Sequence, residues 1–115
     1  MAYNEKLANQ IRRALAPLPD VMEKKMFGSL AFMVDGKMCL TAGAYKMMCR
    51  IDPNIHDEAI KRKGCRTVVM KGREYKGYIY VDEDSLLAKD NFDYWVKLAL
   101  DFNKKARSSN KRQKQ

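Results

Sequence analysis

One histidine, three cysteines and three prolines in 115 residues set the first limits on what this chain can do. Cys39, Cys49 and Cys65 form an odd set without C-x-x-C spacing, which argues against a disulfide framework and for thiols kept reduced. With His56 as the single imidazole, no recognisable metal-ligand set is present, and neither a metal nor another cofactor is expected. The glycines spell neither G-x-x-x-x-G-K nor G-x-G-x-x-G, so Gly28, Gly36 and Gly77 read as turns and close-packing positions rather than a phosphate cradle. There is no run of about 18 apolar residues, and the N-terminus lacks the charged-then-apolar layout of a secretion signal. The expectation is a soluble cytoplasmic protein without a membrane partner. No nucleophile, base and orienting group fall into a catalytic pattern, so the chain is not expected to be an enzyme.

What remains is enough for one domain: 46% of the residues are apolar, and a chain of this size hides roughly two thirds of its unfolded surface. The net charge of +9 is unevenly placed. Lys104, Lys105, Arg107, Lys111, Arg112 and Lys114 face no acid after residue 101, which leaves 17 of the 23 bases against all 14 acids in residues 1–101. Beyond Arg107 the chain has no apolar side chain, a composition that cannot offset its ordering entropy. The expected division is an ordered domain over residues 1–107 and a disordered basic tail over residues 108–115.

The stretch Met26–Ile51 organises the rest. Leu30 to Val34 is an apolar run ending at Asp35-Gly36, a strong hairpin signal that predicts a type I′ turn. Lys37 to Thr41 returns, the chain turns again at Gly43, and Tyr45, Met47, Cys49 and Ile51 alternate with Lys46, Met48 and Arg50. Before this, Leu7, Ala8, Ile11, Ala14 and Leu15 form a helical stripe that Pro17 and Pro19 end. After it, Asp52-Pro53 reads as a cap and first residue of a short helix closed by Gly64. Arg66–Met70 and Tyr78–Val81 read as a paired strand couple, and Phe92, Trp95, Leu98, Ala99 and Phe102 as the stripe of a last helix capped by Asp90. The predicted fold is α+β with two layers, in the order α-β(3)-α-β(2)-α, an antiparallel sheet covered by helices.

This order resembles the N-terminal domain of the TfoX/Sxy family, bacterial proteins associated with regulation of competence genes. The words that carry the resemblance are Met26-Phe27-Gly28, Val34-Asp35-Gly36-Lys37-Met38, Lys76-Gly77-Tyr78, and Trp95-Val96 with Ala99 and Phe102. They span about Leu7 to about Ala106, and Ser29 stands where many relatives have a second glycine. Full-length members carry a further helical domain, so the resemblance implies a stand-alone N-domain. It also implies a topology similar to type III secretion chaperones, which are dimeric protein binders. A regulatory or adaptor role through protein–protein contacts is therefore expected, with a homodimer as a further expectation. Phe27, Gly28, Gly36, Gly77, Tyr78 and Trp95 are the structural residues of this reading.

For contacts, the informative segment is residues 61–76, where Lys61, Arg62, Lys63, Arg66, Lys71, Arg73 and Lys76 face one acid, Glu74, with tyrosines interleaved. Such a pattern with the tail could hold a nucleic acid. The solvated rim of an edge hairpin explains the same charges and is preferred, because no recognition helix accompanies them. His56 is expected at the surface, Cys39 and Cys49 as small core hydrophobes, and most methionines in the core. Met48, beside Lys46 and Arg50, is the methionine expected to contact a partner.

Overall fold

The computed structural model describes residues 3–26 and 28–106. Phe27 and the expected tail lie outside the described residues. Asn4 caps the first helix, α1 (Glu5–Leu15), by accepting from the backbone N–H groups of Lys6 and Leu7. Four strands follow in direct succession: β1 (Val21–Met26), β2 (Ser29–Val34), β3 (Lys37–Ala42) and β4 (Lys46–Arg50). A 3-10 turn (Pro53–Ile55), capped by the Asp52 carboxylate, leads into the single-turn α2 (His56–Ala59). The hairpin of β5 (Cys65–Met70) and β6 (Arg73–Asp82), a second 3-10 turn (Glu83–Leu86) and α3 (Lys89–Asn103) complete the chain.

The α+β class with an antiparallel sheet is as expected, but the sheet has six strands, in the order β1-β2-β3-β4-β6-β5. The extra strand is β1. Its sequence, VMEKKM, lacks alternation because it is an edge strand whose middle residues are all exposed. The last two strands do not extend a meander in chain order, either: β6 pairs with β4, and β5 takes the outer edge. The expected type I′ turn is present, with Asp35 at φ 54° and Gly36 at φ 76°, a conformation that glycine adopts without a Cβ penalty. Tyr45 lies outside β4 and is exposed, and α3 begins after Ala88 without a side-chain cap, so Asp90 sits in its first turn.

Strand alternation sorts the sheet into two unlike faces. Leu30, Phe32, Leu40, Met47, Ile79 and Val81 point to one face and pack with Leu7 and Ile11 of α1 and Phe92, Trp95 and Ala99 of α3. Trp95 is fully buried at the centre of this layer, and its indole N–H has no partner among the described residues. Polar fasteners fix the end of α3: Asn103 Nδ2 donates to Val34 O at 3.2 Å, Lys37 Nζ donates to Asn103 O at 2.7 Å, and Lys105 pairs with Asp52 at 2.9 Å. No described helix lies on the other face.

His56 is buried, contrary to the expectation of a surface residue. The backbone N–H of Gly77 donates to its Nδ1 at 2.8 Å, so Nε2 carries the proton and donates to Thr67 Oγ1 at 2.8 Å. One imidazole thus ties α2 to both β6 and β5. Gly77 has φ 92°, and a Cβ there would stand 3.1 Å from Ile51 O and 3.2 Å from Pro53 Cγ, so the crossing of β6 beneath this turn requires glycine.

Burial holds the His56 pKa below its ordinary value of 6.5, and nearby Lys76 adds to this while Asp57 and Glu74 oppose it. In the unfolded chain the ring binds a proton more readily, so His56 contributes stability above about pH 6.5 that is lost as pH falls toward the lower folded value. The thermal midpoint should therefore drop from about pH 7.5 to about pH 5.5. A His56→Gln variant, less stable throughout, should lack that part of the slope; equal slopes in the two proteins would contradict the assignment.

Candidate functional site

The basic residues of segment 61–76 come to rest in separate places. Lys61, after α2, pairs with Glu58 at 3.5 Å, and the Arg62 guanidinium lies 3.8 Å from the Tyr94 ring centroid while donating to Asn91 Oδ1 at 3.0 Å. Arg62 thus docks the α2 turn against α3. Lys63 is exposed beside it, and its carbonyl accepts from Ser85 Oγ. Lys76 pairs with Asp57 at 3.2 Å, next to the His56 fastener. Lys71 and Arg73 stand exposed at the β5–β6 turn, in a part of the hairpin that β4 does not reach. Arg66 points to the helix-free face, 2.8 Å from Asp82. A continuous phosphate-binding stripe does not form from these positions, since three of the seven bases sit beside carboxylates and a fourth is stacked on tyrosine.

Met48 falls on the helix-free face, and the register shows what surrounds it. Across the sheet, Lys24 opposes Ala31, Ala31 opposes Thr41, Thr41 opposes Met48, Met48 opposes Tyr80, and Tyr80 opposes Arg66. A parallel row joins Met22 to Met33 and Met33 to Met38, and Arg50 faces Tyr78 at the same end of the sheet. Lys46 Nζ stands 4.3 Å from the Tyr80 ring centroid, with the Arg66 guanidinium 5.7 Å away; Arg50 is 5.7 Å from the Tyr78 ring and 5.6 Å from that of Phe102. Gly28 and Gly36 serve turns away from this surface, and Tyr78 belongs to it.

The methionines overturn one expectation. Among the described methionines, Met47 is the one that enters the core; Met22, Met26, Met33, Met38 and Met48 occupy the open face, with Met22 66% exposed, and Met70 is exposed near the β5–β6 turn. Sequence reasoning singled out Met48 alone, because the others become neighbours only once β1 is recognised and the β2–β3 register is known. The irregularity between Phe32 and Met33, which brings Met38 opposite Met33, leaves no local mark in the sequence.

A nucleophilic role for the thiols has no support in their surroundings. Cys39 and Cys49 are buried as expected; burial pushes the Cys39 pKa up to about 12 and that of Cys49 well above the ordinary value, so both stay protonated. Cys65 is half-buried, also raised by burial, and its Sγ donates to Arg62 O at 2.9 Å. A thiol reagent applied to the native protein at about pH 8 should label Cys65 slowly, and reach Cys39 and Cys49 only when denaturant is added. Rapid labelling of Cys39 or Cys49 in the native state would show that the helix-covered layer opens readily.

Comparison with curated proteins and with solved structures returns no match. The profile of the TfoX N-terminal domain does match, over residues 13–103. That span runs from the last turn of α1 to the last residue of α3 and includes every strand of the sheet, the His56 fastener and the open face. The chain belongs to the TfoX N-terminal domain family.

Proposed function

We propose that this chain is a non-enzymatic regulatory adaptor that works through protein–protein contacts, in the manner expected of the N-terminal domain of a competence regulator. Its family membership supports the regulatory part of this reading. The observation that carries the adaptor part is the division of the sheet, in which both long helices cover one face while methionine, tyrosine and basic side chains line the other. Under this reading the protein acts in the bacterial cytoplasm, where its three free thiols stay reduced.

A nucleic-acid role through segment 61–76 and the tail is the competing reading, and pairing of Lys61, Arg66 and Lys76 with carboxylates weighs against its folded part. Gel-shift titration of the purified chain on duplex DNA, at about 50 mM and about 200 mM salt, separates the two. The adaptor reading expects any shift at the lower salt to vanish at the higher, since diffuse attraction by a basic chain is lost with counterion screening. Binding that persists at the higher salt would overturn it.

A further inference from the structure

We infer that the helix-free face of the sheet is a docking groove for an acidic amphipathic segment of a protein partner. The inference rests on the adaptor reading and names the surface and the chemistry that it would use. Ala31 is fully buried and Thr41 is 9% exposed, although no described helix lies over either. Both sit in the middle of the cross-strand row between Lys24 and Met48, so their short side chains form a floor below longer neighbours. Six strands at about 4.8 Å spacing make the face about 25 Å across, the length of a helix of about 16 residues.

The walls of this groove are methionines, whose unbranched thioethers repack around different apolar surfaces at little cost. Its charge is one-sided. Lys24, Lys46 and Arg66 project on this face, with Arg50 at its end between Tyr78 and Phe102 of α3; among the described residues of the cross-strand row, the carboxylate beside them is that of Asp82, opposite Lys46. Glu23, the acid of β1, turns to the helix side and is held by Arg12 at 2.6 Å, its carboxyl pKa lowered by that contact. An occupant complementary to this face has an apolar stripe for the methionines and carboxylates for the flanking bases, which describes an acidic amphipathic helix laid in a groove.

A single-stranded nucleic acid would also meet the positive charge, but it needs open aromatic faces on which bases stack. The rings on this face are already partnered: Lys46 and Arg66 lie over Tyr80, and Arg50 lies by Tyr78. The centre of the row is Ala31, Thr41 and Met48, none of which stacks on a base. Peptide chemistry fits this surface better than nucleotide chemistry.

The test uses the full chain with isotope-labelled methionine methyl groups, whose signals report each position separately. The probe is a synthetic amphipathic peptide of about 16 residues with leucine on one stripe and glutamate on its flanks; the same peptide with lysine for glutamate, and a short oligothymidine, are the comparisons. The glutamate peptide should shift Met22, Met33, Met38 and Met48 and leave Met47 and Met70 in place. A Met33→Glu/Met48→Glu variant should bind it at least about tenfold more weakly. A Lys24→Glu/Lys46→Glu variant should instead prefer the lysine peptide, an exchange of specificity that a merely structural role for these lysines would not give. Shifts confined to other positions would overturn the docking groove and leave the adaptor reading standing. Shifts of the same methionines by oligothymidine, with none from the peptide, would overturn both, and silence toward every probe would overturn the groove.

Discussion

Everything in this fold follows from the sheet's being covered on one side only. A β-strand sends successive side chains to opposite faces, so a six-stranded sheet with both long helices on one face divides its residues into a core and a surface of equal extent. Met47 and Met48 show the division within one peptide unit: Met47 is fully buried under the helix layer, while its neighbour faces Thr41 and Tyr80 on the open side. Stability resides on the first face. Under the proposed role, recognition falls to the second, where half-buried methionines line the sheet without a helix over them.

The covered face is held in register by a few buried polar contacts placed where the chain changes direction. His56 joins α2 to Gly77 and Thr67 at the point where β6 inserts between β4 and β5, and Asn103 joins the end of α3 to Val34 beside the β2–β3 turn. Each satisfies backbone groups that would otherwise be buried without partners, an omission that costs about 1–3 kcal/mol per group. The exposed ion pairs are of another kind. Lys89–Asp93 and Lys97–Asp101 on the outer side of α3 join side chains largely in water, where solvent screening leaves little net attraction. The helices are therefore placed by the core and its polar ends.

The local signals in the sequence were strong where structure is local. Asp35-Gly36 announced its own turn, the Leu7–Leu15 stripe its helix, and Asp52-Pro53 its cap. What escaped notice depends on partners distant in sequence. Val21–Met26 is a strand because β2 offers it an edge, and nothing in VMEKKM alternates. His56 looks like a polar residue at a helix start, and only the return of Gly77, 21 residues later, makes it a buried acceptor. The methionines have the character of core residues one at a time; strand parity, which the register alone reveals, puts five of them on the open side. The candidate surface was thus legible at Met48 and its basic neighbours, and its extent was not.

That a helix layer bears the stability and leaves the opposite face free is the claim on which both the fold and the proposed role stand. The most direct measurement is the equilibrium stability, by denaturant titration, of the paired variants Met47→Ala and Met48→Ala. Met47→Ala should cost about 2–5 kcal/mol, the range for truncating a buried methionine, and Met48→Ala less than about 1 kcal/mol. Equal losses at the two positions would mean that the second face is also packed in the native protein, and would contradict a sheet covered on one side only.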